Sequence, residues 1–156
     1  MATKTRLFLS HAHEDDHVAF DLRQKLRASD YPFAVSIVLA GEAKMRRTPE
    51  QLKHGFLAPR IRWSHAMLLL LSEDALLSDW VRWELQYATE QRKLVVAVRA
   101  PAFQKDVLPK TLYGAPTVDR DPEQIWSAIE NLRASDAKVP RHQRSRISAS
   151  SSRRPV

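Results

Sequence analysis

Six consecutive apolar residues in the middle of the chain, Ala66–Leu71, constrain the fold more than any other feature. The run is far shorter than the roughly 20 residues that cross a bilayer, and no polar residue interrupts it. Such a run is typical of a strand buried on both faces, which occurs where helices cover a parallel sheet. Residues 72–88, which follow it, have helical spacing, so the two segments predict one strand–helix unit.

Four further apolar segments have the length of strands, and with the central run they predict a five-stranded sheet. They are residues 6–10, 33–39, 94–98 and 117–118. Helical signals separate them: Val18, Leu22 and Leu26 recur every four residues, Thr48 to Gln51 has a capping-box pattern, and Asp121 precedes Pro122. Pro59 is expected to kink or end the helix that begins after Thr48. This alternation predicts a flavodoxin-like, three-layer α–β–α domain around a mostly parallel sheet.

The charge of the chain is unevenly distributed. The formal net charge is +7, but six of the 25 Lys and Arg residues lie in residues 138–156, which contain no Asp or Glu. The remainder is nearly neutral, so the charge gives little reason to expect a nucleic-acid partner. We expect a domain at residues 1–133 and a disordered Ser/Arg-rich tail at residues 134–156. Because the chain has no Cys, no secretory signal and no membrane-spanning run, we expect a cytoplasmic protein without a membrane partner.

A group of His and Asp residues follows the first strand and invites a metal-site interpretation. His11, His13, Asp15, Asp16 and His17 come within one residue of the H-x-H-x-D-H zinc loop of metallo-β-lactamase-like hydrolases. An additional Asp displaces the last His, however, and only three other His residues remain to complete a ligand set. We therefore favour a solvated loop whose acidic residues suit the start of a helix, and we assign no metal ligand.

Two phosphate-handling interpretations fail on the residues. A phosphorylation receiver domain shares the predicted architecture but needs an acceptor Asp at the end of the central strand, where this chain has Ser72. The chain has only three Gly residues and no Gly-rich phosphate loop, which leaves no P-loop and no dinucleotide-binding fingerprint.

Glu84 is the candidate functional carboxylate on the helix that follows the central strand. It lies one helical turn after Trp80, near the carboxyl end of the sheet, where open parallel sheets bind their ligands. The alternative is that Trp80, Trp83 and Tyr87 pack in the core and that Glu84 is solvated. Spacing alone leaves both interpretations open.

Three motifs, in this order, resemble those of the Toll/interleukin-receptor (TIR) family. They are F-L-S-H-A-H-E-D-D at residues 8–16, the apolar strand that ends in Ser72, and W-V-R-W-E at residues 80–84. The resemblance is closest to the bacterial TIR-like proteins of the Thoeris anti-phage systems and spans residues 6–132. Residues 33–47, which supply several substrate contacts in the family, match poorly.

The resemblance implies an enzyme that cleaves the bond between nicotinamide and ribose in NAD+. The product would be a cyclic or conjugated ADP-ribose signal that activates a partner effector. NAD+ is then the substrate, and no cofactor or metal is expected. By the same resemblance Glu84 is the catalytic carboxylate, and the substrate contacts are Phe8, Ser10, His11, Asp16 and Trp80.

The resemblance also allows a function without catalysis. The chain could be a signalling module that assembles with other TIR domains, through the basic loop at residues 44–47 and exposed helix faces. We expect self-association in either case.

Overall fold

The computed structural model describes residues 3–39, 48–103, 112 and 114–138. Its strands are β1 (Thr5–Ser10), β2 (Phe33–Ile37), β3 (Ala66–Leu71), β4 (Leu94–Arg99) and β5 (Thr117–Val118). They form one sheet in the order β2-β1-β3-β4-β5, and every pair of neighbours is parallel. The five predicted strands are confirmed.

The described part of the chain contains six α-helices. They are α1 (Asp16–Ala28), α2 (Pro49–Leu52), α3 (Ala58–Trp63), α4 (Glu73–Leu77), α5 (Asp79–Glu90) and α6 (Pro122–Lys138). A 3₁₀ turn, His13–Asp15, precedes α1, and a π-helical turn, Lys53–Leu57, joins α2 to α3.

The sheet separates two apolar layers, and β3 contributes to both. On one face Leu68 and Leu70 pack with the buried residues of α1 and α6. On the other face Met67, Leu69 and Leu71 pack with the buried residues of α2, α3, α4 and α5. Every β3 residue is at most 2% exposed. The predicted three-layer α/β fold is therefore confirmed.

The helical segment that contains Pro59 continues beyond it to Trp63, so Pro59 does not end the helix. The backbone widens one turn earlier, where the N–H of Ala58 donates to the carbonyl of Lys53, five residues back. Pro59 then falls in the first turn of α3, where a missing N–H leaves no internal hydrogen bond unmade.

The segment predicted as one helix after β3 is two helices. Ser72 Oγ accepts a hydrogen bond from the N–H of Ala75 at 3.0 Å and caps α4. Ser78 Oγ accepts one from the N–H of Val81 at 3.2 Å and caps α5. Ser78 has extended backbone angles, which interrupts the helical path between them.

Two expectations fall partly or wholly outside the described residues. The basic loop at 44–47 lies outside them, as do residues 139–156 of the predicted tail. The last helix α6 continues to Lys138, past the expected domain end at residue 133, and the division into domain and tail stays a prediction. None of the helices among the described residues has both the length and the apolar composition needed to cross a membrane.

Candidate functional site

The direction of the chain connections reverses between β1 and β3. From β1 the chain crosses to β2 on one side, whereas from β3 it crosses to β4 on the other side. The connections that follow β1 and β3 therefore run in opposite directions from the carboxyl ends of these two strands. This place is the topological switch point, where such sheets usually bind their ligands. Ser10 ends β1, and Ser72 follows β3 at this point.

Glu84 reaches this point from α5. It lies on the buried side of that helix, together with Val81, Leu85 and Ala88, and is 6% exposed. Ser10 Oγ donates a hydrogen bond to Glu84 Oε1 at 2.9 Å. The carboxyl is therefore held against the end of β1, and the solvated alternative for Glu84 is wrong.

Burial changes the ionisation of Glu84. Because the charged form loses its hydration, burial raises the pKa of the Glu84 carboxyl from its usual 4.5 to about 8, and the hydrogen bond from Ser10 opposes this shift. The carboxyl is mostly protonated at pH 7. A cation placed beside it would favour the carboxylate, which is the form that can stabilise a developing positive charge.

Two side-chain contacts hold the loop after β1 in place. His11 Nε2 lies 2.6 Å from Asp16 Oδ1, and the His11 side chain is 3% exposed. Asp15 Oδ2 accepts a hydrogen bond from Ser72 Oγ. The structure thus places Ser10, at the end of β1, close to His11 and Asp16 in the connection to α1. Sequence reasoning did not identify the contact between Asp15 and Ser72.

Phe8 lies beneath the site rather than at its surface. Its ring is 1% exposed and belongs to the apolar layer between the sheet and α5. Because strand residues alternate between faces, Phe8 and Ser10 project to the same side of β1. Phe8 supports the site from the core, and direct contact with a substrate stays a prediction.

Trp80 is the exposed aromatic residue of the site helix, with 38% of its surface accessible. The ammonium of Lys53 lies 5.7 Å from the Trp80 ring centroid and 6.0 Å from that of Trp83. Trp83 in turn stacks on Tyr87, with centroids 5.2 Å apart. Sequence reasoning missed Lys53, because its contact joins two segments that are distant in sequence and no local pattern indicates it.

Among the described residues, two surface cavities lie away from Glu84, and neither is lined by it. One, of about 490 Å³, lies beyond the carboxyl ends of β4 and β5 and is lined by Arg99, Asp119 and Lys25 among others. The other, of about 210 Å³, is lined by Ser36, Pro59, Arg60 and Trp63.

Metal ligation finds no support in the described part of the chain. No three His, Asp or Glu side chains there are grouped so that they could hold a metal ion. His13 lies 3.1 Å from Glu14, and His17 lies 3.4 Å from Asp21, both on exposed surface.

Comparisons with known proteins agree with this architecture. A family model described as the TIR-like domain of the Thoeris protein ThsB matches residues 8–105. Among solved structures, the TIR domain of the Toll-related receptor TRR-2 from Hydra magnipapillata is similar, with a TM-score of 0.54 and 15% identity. That alignment covers 83% of this chain and 95% of the receptor domain, and at such identity it concerns the fold alone. No curated protein sequence matches the chain significantly.

Proposed function

The chain belongs to the family of the TIR-like domain of the Thoeris protein ThsB, and on that premise we propose that it cleaves NAD+ between nicotinamide and ribose. The product would be a cyclic or conjugated ADP-ribose that activates a separate effector during anti-phage defence in the cytoplasm. One observation carries the proposal: the buried carboxyl of Glu84 is hydrogen-bonded to Ser10 at the switch point of the sheet.

One carboxylate is sufficient for this reaction. Nicotinamide leaves NAD+ as a neutral molecule because its ring nitrogen is already cationic in the substrate, so its departure needs no general acid. The ribose develops oxocarbenium character in the transition state, as sugars do in glycoside hydrolysis. A fixed carboxylate facing that cation lowers its free energy electrostatically, and this is the function that we assign to Glu84.

The substrate itself can supply the charge that ionises Glu84. NAD+ brings a pyridinium and then a ribosyl cation close to the carboxyl, and both favour the deprotonated form. Trp80, one helical turn earlier and 38% exposed, offers an aromatic face on which a cationic ring can stack. A substrate stacked on Trp80 excludes water from the site, and this strengthens the electrostatic contacts between substrate and protein.

The proposal is tested with purified full-length protein at high concentration. We incubate it with NAD+ and identify the products by mass spectrometry, comparing the wild type with Glu84→Gln and with Glu90→Gln. Glu90 is an exposed acid on the same helix, so Glu90→Gln controls for the loss of one negative charge. Loss of nicotinamide release in Glu84→Gln alone supports the proposal, and unchanged release in Glu84→Gln contradicts it.

The burial of Glu84 favours one alternative, a module that signals by assembly rather than by catalysis. At 6% exposure the carboxyl has almost no surface for a substrate in this structure. If Glu84→Gln preserves protection against phage in cells and forms oligomers as the wild type does, assembly is the function. If protection is lost while oligomers still form, catalysis is required.

A further inference from the structure

Basic side chains and an exposed Trp gather at the edge of the sheet opposite to Glu84, where the strands begin. Arg6 lies at the start of β1, Arg62 and Trp63 end α3, and Lys93 directly precedes β4. Arg133, from α6, reaches the same edge. We call these five residues the amino-edge patch.

Three cations of the patch are held by neutral oxygen atoms. Arg6 Nε donates to the Trp63 carbonyl at 2.6 Å, and Lys93 Nζ donates to the Arg62 carbonyl at 2.9 Å. Arg62 Nη1 donates to the hydroxyl of Tyr87 at 2.7 Å. These hydrogen bonds orient the three side chains, and no ion pair with a carboxylate is seen for them within residues 3–39, 48–103, 112 and 114–138.

Arg133 adds a fourth cation, which is held by one hydrogen bond and one ion pair. Its Nη2 donates to Thr5 Oγ1 at 3.1 Å, and its Nη1 lies 2.8 Å from Glu130. These four cations come from β1, α3, α6 and the residue before β4, so the fold collects them from four separate segments.

The fields of these cations overlap. Burial first, and then the charge of Arg6, lowers the pKa of the Lys93 ammonium. Burial, followed by the charges of Arg6, Arg133 and Lys93, lowers the pKa of the His65 imidazole in their midst. Like charges held this close destabilise the folded chain, and proteins tolerate such conflicts mainly at functional sites.

Helix stabilisation accounts for only part of the arrangement. The last carbonyls of a helix attract cations, and Lys93 and Arg6 do satisfy the end of α3. That function does not require Arg62 on the tyrosine hydroxyl or an exposed indole between the cations. Trp63 is 40% exposed, and the Arg6 guanidinium carbon lies 5.6 Å from its ring centroid.

We propose that the amino-edge patch binds single-stranded nucleic acid, with Arg6, Arg62 and Lys93 contacting phosphates and Trp63 stacking on a base. Cations that follow the phosphate backbone, combined with an aromatic surface for bases, are the features that such proteins share. The sequence argued against this partner because its excess charge lies in the tail. The proposal rests instead on the fold, which collects cations from segments far apart in the chain.

The test measures the fluorescence anisotropy of labelled 20-nucleotide oligo-uridylate and oligo-thymidylate with the full-length protein, across a range of salt concentrations. The patch variant is Arg62→Gln with Lys93→Gln. The matched control is Arg82→Gln with Arg99→Gln, which removes two positive charges from exposed ion pairs elsewhere. Since the tail is present in every protein, its contribution cancels from the comparison.

We expect the patch variant to bind roughly tenfold more weakly than the control, and the slope of its salt dependence to fall by about 1.4. Trp63→Ala should also weaken binding roughly tenfold while leaving the salt slope unchanged, because stacking releases no counterions. Circular dichroism verifies the fold of each variant. Equal weakening by the patch and control variants, or no binding by the wild type, would overturn the proposal.

Discussion

Ser10 and Glu84 lie 74 positions apart in the chain and are joined by a buried hydrogen bond of 2.9 Å. The bond links the last residue of β1 to the middle of α5, so it forms only when the sheet and that helix are packed. It also keeps the one strongly perturbed acid of the described residues out of water. The chemistry proposed for Glu84 and the stability of the fold therefore depend on the same carboxyl.

The stability of the protein should decrease as the pH rises from about 4.5 to about 8. In this interval the folded chain keeps a proton on Glu84, whereas the unfolded chain has released it, so alkaline conditions favour unfolding. The decrease is at most about 1.4 kcal/mol per pH unit. Urea denaturation at several pH values measures it.

Glu84→Gln should remove this dependence, because the amide stays neutral and its oxygen can still accept the hydrogen bond from Ser10. The variant is then more stable than the wild type at pH 8 and inactive. Glu90→Gln, on the exposed side of the same helix, should follow the wild type at every pH. A wild type whose stability is flat between pH 5 and pH 8 contradicts the assignment of a buried, protonated carboxyl.

Activity should have the opposite pH dependence. If the carboxylate is the catalytic form, kcat/KM for NAD+ rises about tenfold per pH unit below the pKa of the free enzyme and levels near pH 8. Nicotinamide release between pH 6 and pH 9.5 gives the profile. A rate that falls over this range would exclude the ionised carboxyl from the reaction.

Much of the fold could be predicted because its signals are local. The uninterrupted apolar run of β3 and the capping residues near Thr48 depend on neighbours in sequence, and both were confirmed. The π-helical turn was not predicted, because it depends on how the backbone adapts to Pro59. The break at Ser78 was missed because the helical spacing of apolar residues continues through it.

The site could be predicted only in part. The resemblance indicated Glu84 and Ser10 as site residues, which stays a prediction, and the strand order predicted that both lie at the carboxyl edge of the sheet. Neither the resemblance nor the strand order could reveal that the Glu84 carboxyl would be buried, since burial depends on the packing of α5 against β1. The contacts of Lys53 with Trp80 and of Asp15 with Ser72 join segments whose distance in space has no counterpart in sequence spacing.

Removal of the Ser10 hydroxyl should destabilise the protein and shift its pH profile. Ser10→Ala leaves the buried Glu84 oxygen without its donor, which costs about 1–3 kcal/mol of unfolding free energy. Because the hydrogen bond from Ser10 lowers the pKa of Glu84, its loss moves the midpoint of the activity profile above pH 8. Ser64→Ala is the matched control: Ser64 is equally buried and donates to the carbonyl of Ile61. It should lose comparable stability without moving the midpoint.

Replacement of Trp80 tests its assignment as a substrate contact. Trp80→Ala should raise KM for NAD+ roughly tenfold, since a stacking face for a cation contributes about 1–2 kcal/mol. The exposure of Trp80 predicts little change in stability. Trp80→Phe retains an aromatic face and should restore most of the affinity; equal KM values for all three proteins would remove Trp80 from the site.

The two serine caps that divide the helix after β3 should differ in their contribution to stability. Loss of a helix cap costs about 1 kcal/mol, which is what we expect for Ser78→Ala. Ser72→Ala should cost more, because Ser72 also donates to Asp15 and so ties the loop after β1 to the end of β3. The difference should nearly disappear when both substitutions are compared in an Asp15→Ala background, in which Ser72 retains only its capping function. Urea midpoints of the single and double variants measure the contribution of each cap and that of the Ser72–Asp15 contact. Equal losses of stability in Ser72→Ala and Ser78→Ala in the native background would show that the loop is not held by this contact.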